Sequence, residues 1–358
     1  MEKANAKIVI LGAGLTGLTI AHGLQKIGVK AMLLEARERL GGRIHTVQNP
    51  DGAPIELGAT WLGQQHQALQ ALVKELGLKL FPQRLGNNAI FEAISTSPPQ
   101  LVKMPPNQDP SFRIAGGTST LINRLTATIA DTQIKLGEVV QSIDFVDEKC
   151  QLKTEQNSYT ADIVISTLPP NLLVNTINFS PALSTNLVEI AEQTHTWMGE
   201  SIKVGLRFPT AFWRAANLSG TVFSNVGPVS EMYDHANVED TNFALKGFLS
   251  GGLYGASREQ RLNLILQQLR KYYGTRADEY SAYEEAVWRL ERFSFFDYKS
   301  YLLPHQNNGH EALLDAYYDG RFFLAGAETS TNFGGYMEGA VLSAHRIVAR
   351  LSSLLKGA

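Results

Sequence analysis

Residues 7–43 read KIVILGAGLTGLTIAHGLQKIGVKAMLLEARERLGGR. An apolar run at 8–11 passes at once into Gly12, Gly14 and Gly17, then into a helical stretch reaching Ile27, Gly28 at its end, and a second apolar run. The order strand, glycine turn, helix, strand predicts a βαβ unit of a Rossmann-like sheet. In that setting the three glycines serve different ends. Gly12 permits the tight turn, Gly14 lets the backbone approach a pyrophosphate, and Gly17 allows close helix–strand packing. The helix N-terminus supplies N–H donors and partial positive charge. Glu35 closes the second strand where a carboxylate accepts from ribose hydroxyls, which argues against a 2′-phosphate. This fragment predicts a dinucleotide site and leaves NAD and FAD undivided.

Outward from it, 358 residues with 44% apolar content exceed what one core usually serves, so two domains are expected with a large ligand between them. Lys plus Arg number 32 against 34 Asp plus Glu, without a dense basic block, which makes nucleic acid an unexpected partner. Cys150 is the only cysteine. An intrachain disulfide and a thiolate zinc cluster are thereby excluded, no metal is expected, and a reducing, cytoplasmic setting is. The short polar start predicts no signal peptide. No stretch reaches a membrane span, and 341–355, broken by His345, Arg346 and Arg350, reads as an amphipathic surface helix.

Further along, 57–77 reads as mostly helical, and 81–110, with Pro82, Pro98, Pro99, Pro105, Pro106 and Pro110, as an aperiodic lid or crossing linker. A helix is expected over 119–130, β segments follow, and 161–167 reads as a buried strand. Residues 200–208 alternate, Ile202, Val204, Leu206 and Phe208 facing one way and Ser201, Lys203, Gly205 and Arg207 the other, which predicts a half-buried second sheet. Residues 258–273 carry helical spacing at Leu262, Leu266 and Leu269.

The blocks GAGLTGL, ARERLGGRIHT (36–46) and IELGATWLG (55–63) together resemble the N-terminal signature of the flavin amine oxidase superfamily, which includes monoamine, polyamine and L-amino-acid oxidases. The resemblance resumes at RIAGGTSTLINRL, ADIVISTLPP, MGESIKVGLRFPTAFW and FFLAGAETSTNFGGYMEGA, and so spans nearly the whole chain. It implies FAD. Gly42 and Arg43 would then meet the pyrophosphate, with Arg37 sharing its charge, since a guanidinium fork matches anionic oxygens. Ala36 and Trp288 join the cofactor wall, Gly58, Ala59, Thr60 and Trp61 line the ring and ribityl chain, and Val140 lies along the adenine. Gly326 and Glu328 form a second flavin contact, the carboxylate accepting from a hydroxyl. The amides of Tyr336 and Met337 face the pyrimidine end, where reduction gathers negative charge.

By the same resemblance Lys203 is the catalytic residue, its ammonium holding a water beside flavin N5. Tyr336 is one wall of an aromatic cage for the amine, and Tyr298, ten residues after Trp288, the other. Asp297 stands where mitochondrial-type monoamine oxidases carry the cysteine that bonds the flavin, so the FAD is expected to be non-covalent. Residues 78–111 replace a larger insertion that roofs the family's cavity.

The expected architecture is therefore α/β: a Rossmann-like FAD-binding domain of the GR2 flavoprotein type from 1–78, 112–192 and 289–358, with a mixed-sheet substrate domain from 79–111 and 193–288. The expected reaction takes a hydride from the carbon beside an amine nitrogen, giving an imine, then aldehyde or ketone, with molecular oxygen as partner and hydrogen peroxide as product. The rivals are a flavin desaturase or isomerase of an apolar substrate, which Lys203 disfavours, an L-amino-acid oxidase, and a non-catalytic flavoprotein. Oligomeric state stays open.

Overall fold

The computed structural model describes residues 6–49, 52–105, 109–130, 132–215 and 217–356. Pro106, part of the lid reading, lies outside them. Strands Gln133–Lys135, Ala31–Leu34, Ile8–Leu11, Ile163–Ser166 and Phe322–Leu324 lie side by side in parallel, with Ala316–Tyr317 antiparallel at one edge. Ile8–Leu11, Ala31–Leu34, Ile163–Ser166 and Phe322–Leu324 are mostly apolar runs because both faces are covered, whereas Gln133–Lys135 at the edge is largely exposed. Ile8 and Ile10 pack with helices Leu15–Lys26 and Met337–Lys356, whereas Val9 and Leu11 pack toward a four-stranded sheet of Ser158–Ala161, Lys149–Thr154, Val140–Val146 and Asn178–Ser180.

The amphipathic helix read over 341–355 is Met337–Lys356: Val341, Ala344, Ile347 and Leu351 form its buried face, and His345, Ala349, Arg350 and Ser353 its exposed one. It crosses the first helix at Gly23, where a Cβ would sit 2.7 Å from Val348 Cγ2. Glycine makes that close approach available.

A seven-stranded sheet forms the other half, in the order Ala282–Val287, Ile202–Phe208, Phe243–Leu249, Val229–Asp234, Val222–Ser224, Asn88–Glu92, Gln100–Lys103. Ile202, Val204, Leu206 and Phe208 pack in a core with Ile265, Leu266 and Leu269 of helix Arg258–Tyr273. That helix begins with a Ser257–Gln260 capping box. The alternation read in the sequence is present, but this strand is not half-buried: every residue of Ile202–Phe208 is buried, whereas Val229–Asp234 in the same sheet does expose one side. Its Lys203–Gly205–Arg207 face lies against Val47, Ala53, Ile55 and Gly58. A Cβ on Gly205 would meet Ile55 Cγ2 at 2.4 Å, and Arg207 donates to the carbonyls of Ala53 (2.8 Å) and Val47 (3.1 Å).

Two local readings are also corrected. The helix of 57–77 is only Gln67–Glu75, because the preceding turn is pinned in another shape: a Cβ on Gly58 would lie 2.2 Å from the Arg43 carbonyl oxygen. Residues 81–110 are not aperiodic, since Asn88–Glu92 and Gln100–Lys103 pair antiparallel and extend the seven-stranded sheet beside Val222–Ser224. Their connection carries Pro98 and Pro99, which break periodicity at the hairpin tip but leave the edge strands free to pair.

Gly17 is the tightest of the motif glycines, its Cβ position lying 2.0 Å from the Gly12 carbonyl oxygen. Gly17→Ala is expected to destabilise the chain by about 3 kcal/mol, read as a lowered unfolding midpoint or loss of soluble protein; an unchanged midpoint contradicts this packing.

Candidate active site

A cavity of about 850 Å³ begins at the glycine turn, passes residues 41–44, 58–63 and 138–141, and reaches Lys203, Phe248, residues 292–296 and Tyr336. That volume lies near the upper end of ligand pockets, roughly 300–1,000 Å³. Of the residues singled out in the sequence, Gly12, Gly14, Glu35, Ala36, Arg37, Gly42, Arg43, Gly58, Ala59, Thr60, Trp61, Val140, Lys203, Trp288, Tyr336 and Met337 line it. Gly17, Gly326, Glu328 and Tyr298 are not on its wall.

At one end the first helix starts from Gly14 with no side-chain cap and no acidic residue in its first turn, leaving its orphan amides to a ligand. Glu35 braces this turn, its two carboxylate oxygens accepting from the N–H groups of Ala13 (2.8 Å) and Arg37 (3.0 Å). Gly14 is set apart from Gly12 and Gly17. Its φ is negative, and the nearest atom to an added Cβ is 3.8 Å away, so nothing in the protein requires glycine there. The space a side chain would take faces the cavity, which fits a bound pyrophosphate.

The arginines differ from expectation. Arg43 forms a two-pronged pair with Glu328, at 2.6 and 2.8 Å, and also donates to the Trp197 carbonyl at 3.3 Å. Glu328 thus accepts from Arg43 behind the wall rather than presenting itself to a hydroxyl, and Gly326, at φ +116°, forms the turn that places it. Arg37 ties down residues 291–294 through Glu291 (2.9 Å) and Ser294 Oγ (2.9 Å). All three hold the wall together from residues distant in sequence.

At the other end Lys203 is buried, its Nζ donating to the Gly58 carbonyl at 2.7 Å and lying 5.2 Å from the Phe248 ring centre. Burial pushes its ammonium down to about 8, against the opposing pull of Glu56. Trp288 fixes the same loop by donating from Nε1 to the Leu57 carbonyl at 2.7 Å. Glu56 is itself buried and raised above the usual carboxylate range by desolvation, although the Thr118 N–H and the Thr46 hydroxyl bind it.

Tyr336 opens onto the cavity with its ring 39% exposed, stacked on His305 at 5.2 Å and tilted against Trp197 at 5.5 Å. Tyr298, expected as the second cage wall, is turned elsewhere. Its hydroxyl accepts from the Thr196 N–H at 2.8 Å, and its ring packs on His195 and Phe295. The segment reaches the cavity through residues 292–296 instead, and the aromatic wall beside Tyr336 is Trp197.

A family model for flavin containing amine oxidoreductases matches residues 15–105 and 95–352. The chain belongs to that family. A probable flavin-containing monoamine oxidase A of Dictyostelium discoideum is 24% identical over 453 residues, covering 97% of this chain and 98% of that one. Human amine oxidase [flavin-containing] B is 23% identical, covering 95% and 84%. Among solved structures, cyclohexylamine oxidase from Brevibacterium oxydans IH-35A superposes with TM-score 0.85 at 21% identity, covering 98% of this chain and 100% of that one. A putrescine oxidase bound to putrescine gives 0.84 at 22%, covering 97% and 99%. Alignment over 453 residues against 358 here means that the Dictyostelium relative carries stretches this chain lacks. In this family member the cofactor is a flavin and the enzyme class is amine oxidase. Among the described residues no helix is long and apolar enough to cross a membrane, and no group of three or more His, Cys, Asp or Glu is placed to hold a metal.

The sequence reading passed over Trp197, Phe248 and Lys246. Lys246 is the one with a visible signal, a single lysine inside the apolar strand FALKGFL. Glu56 lay inside a quoted block but had no role assigned.

Two outcomes are expected. Gly14→Ala keeps the unfolding midpoint of the flavin-free protein within about 1 kcal/mol but abolishes flavin retention, whereas loss of both would place Gly14 in the packing. For Lys203, the folded chain sheds its proton near pH 8 and the unfolded chain near 10.5. Below 8 the burial cost acts in full. Between the two values the unfolded state binds more protons, so stability rises with pH, by about 3 kcal/mol for this group. Melting curves from pH 7.5 to 9.5 are expected to rise less steeply in Lys203→Met than in the wild type; equal slopes would remove Lys203 from this account.

Proposed function

We propose that the protein is an FAD-dependent amine oxidase that holds its cofactor non-covalently. In this reading the FAD-binding domain is 1–78, 112–192 and 289–358, and the substrate domain 79–111 and 193–288. The observation that carries it is Lys203: a buried lysine on the wall of a cavity whose other end is an uncapped helix N-terminus beside Gly14. When bound, FAD takes a hydride from the carbon beside the amine nitrogen and passes the electrons to oxygen, giving hydrogen peroxide.

The chain's own residues orient and charge-balance that event. Lys203 Nζ uses one N–H on the Gly58 carbonyl, leaving others to hold a water. At pH 7, below its value of about 8, it is mainly an ammonium, which orients that water for attack on an imine carbon and stabilises negative charge growing on oxygen. The exposed face of Tyr336 orients the amine nitrogen, with Trp197 beside it. The substrate amine must arrive neutral, because its lone pair assists departure of the hydride.

Non-covalent binding is supported from two sides. Asp297 is exposed and paired with Arg289 at 2.7 Å. The single cysteine, Cys150, is wholly buried with Ile143, Leu152 and Val164 and is not on the cavity wall.

A panel of primary amines, diamines and amino acids, read by peroxide release and by anaerobic bleaching of the flavin, is expected to contain a substrate; no bleaching by any member overturns the reading. Lys203→Met is expected to keep its flavin and lose roughly 100-fold in turnover, and unchanged turnover removes the main support. Acid precipitation is expected to leave the flavin in the supernatant, whereas yellow pellet protein disproves the non-covalent assignment.

A further inference from the structure

Lys246 is wholly enclosed, 0% exposed, on the strand paired antiparallel with the one bearing Lys203. The register sets Lys246 opposite Gly205 and Phe248 opposite Lys203, so both lysines project from one sheet face as diagonal neighbours. Lysine is almost never fully buried without an ionic partner. Here no carboxylate oxygen lies within ion-pair distance of its Nζ among the described residues. The amine donates to Thr60 Oγ1 and sits 4.0 Å from the Trp61 ring centre.

The ionisable groups facing it are Lys203, Glu56 from strand Ile55–Glu56, Arg113 from strand Phe112–Ile114, and His235 just past strand Val229–Asp234. Asp234 is already held by Arg214 and Trp213. One nearby carboxylate thus serves two lysines and an arginine. Burial and the Lys203 ammonium both press the Lys246 amine toward its neutral form. A methionine fills a similar volume without burying a polar group, so retention of an amine calls for a function at this spot.

The hydrogen bonds supply one. Thr60 receives Lys246 and donates its own hydroxyl to the Gly58 carbonyl at 3.1 Å, and the same carbonyl receives Lys203 Nζ at 2.7 Å. We propose that Lys246 is a positioning residue for Lys203: its amine fixes the Thr60 hydroxyl, which fixes the Gly58 carbonyl that sets Lys203 Nζ on the cavity wall. The same amine sits over the Trp61 ring, at 4.0 Å, and the Phe248 ring, at 5.5 Å, and Trp61 packs in turn on Phe248 and Tyr233. Lys246 itself is not on the wall and touches neither substrate nor cofactor space. Its catalytic meaning rests on the amine-oxidase reading above; the link between the two lysines does not.

The test compares Lys246→Met, Thr60→Val and the double variant as flavin-loaded proteins, with Lys246→Gln retaining a donor toward Thr60. Anaerobic flavin reduction is followed with an amine that the wild type oxidises, and hydrogen–deuterium exchange over residues 55–65 is measured in parallel. Lys246→Met and Thr60→Val are each expected to lower the limiting reduction rate about tenfold per bound flavin, with amine affinity within threefold and, in Lys246→Met, flavin content unchanged. The double variant is expected to be no slower than the slower single, since both act through one chain of bonds, and Lys246→Gln to recover most of the rate. Exchange over 55–65 quickens in Lys246→Met and is near wild type in Lys246→Gln. Multiplying rate defects in the double variant, or unchanged exchange in Lys246→Met, overturns the proposal. If no amine reduces the wild-type flavin, the amine-oxidase reading fails, and the exchange data alone decide whether Lys246 holds the turn.

Discussion

The main-chain carbonyl of Gly58 is the point on which the active end of the cavity depends. It belongs to a turn after strand Ile55–Glu56, held beneath the Arg43 and His45 backbone, and it is gripped by a lysine from strand Ile202–Phe208, second from one edge of the seven-stranded sheet. A side chain at 58 would collide with the Arg43 carbonyl and the His45 amide, so the turn can lie only where glycine permits. Gly205 meets the same demand from the opposite side, leaving room for Ile55. Two glycines, one per half, therefore bring the two cores close enough for Lys203 to reach across. The shifted protonation follows from that closeness, because Lys203, Lys246 and Glu56 are all shielded from bulk solvent there.

Where the sequence was legible, the signal was periodic or sterically forced. The βαβ unit, the helix Arg258–Tyr273 and the placement of Lys203 follow from apolar spacing and from glycines with a single physical use. Strand Ile202–Phe208 shows the limit of such reading. Alternation gives the two faces correctly but cannot say that Lys203, Gly205 and Arg207 face protein rather than solvent, since buried polar residues satisfied by carbonyls look like exposed ones in sequence. The hairpin of Asn88–Glu92 and Gln100–Lys103 was hidden for a related reason: short edge strands flanking a proline-rich tip carry too few residues for a period to emerge.

The local pattern says least where a residue's partner lies far along the chain. Arg43 and Glu328 each suit a nucleotide, and nothing local indicates that they meet each other. Tyr298 has the right spacing from Trp288, but its hydroxyl is captured by the Thr196 amide, a contact fixed by tertiary packing alone. Lys246 announces itself only as an odd residue in an apolar strand. Its meaning comes from register, which places it beside Gly205 and so next to Lys203.

The Arg43–Glu328 pair spans 285 positions of sequence and closes the cavity wall from both chain ends. Contacts of such long separation form late, after the intervening loop has been closed against its entropy. On a ribosome the cradle for the cofactor remains incomplete until residues 322–340 have left the exit tunnel, long after the glycine turn has emerged. A chain cut short before Glu328 is left without the clamp that Arg43 prepares.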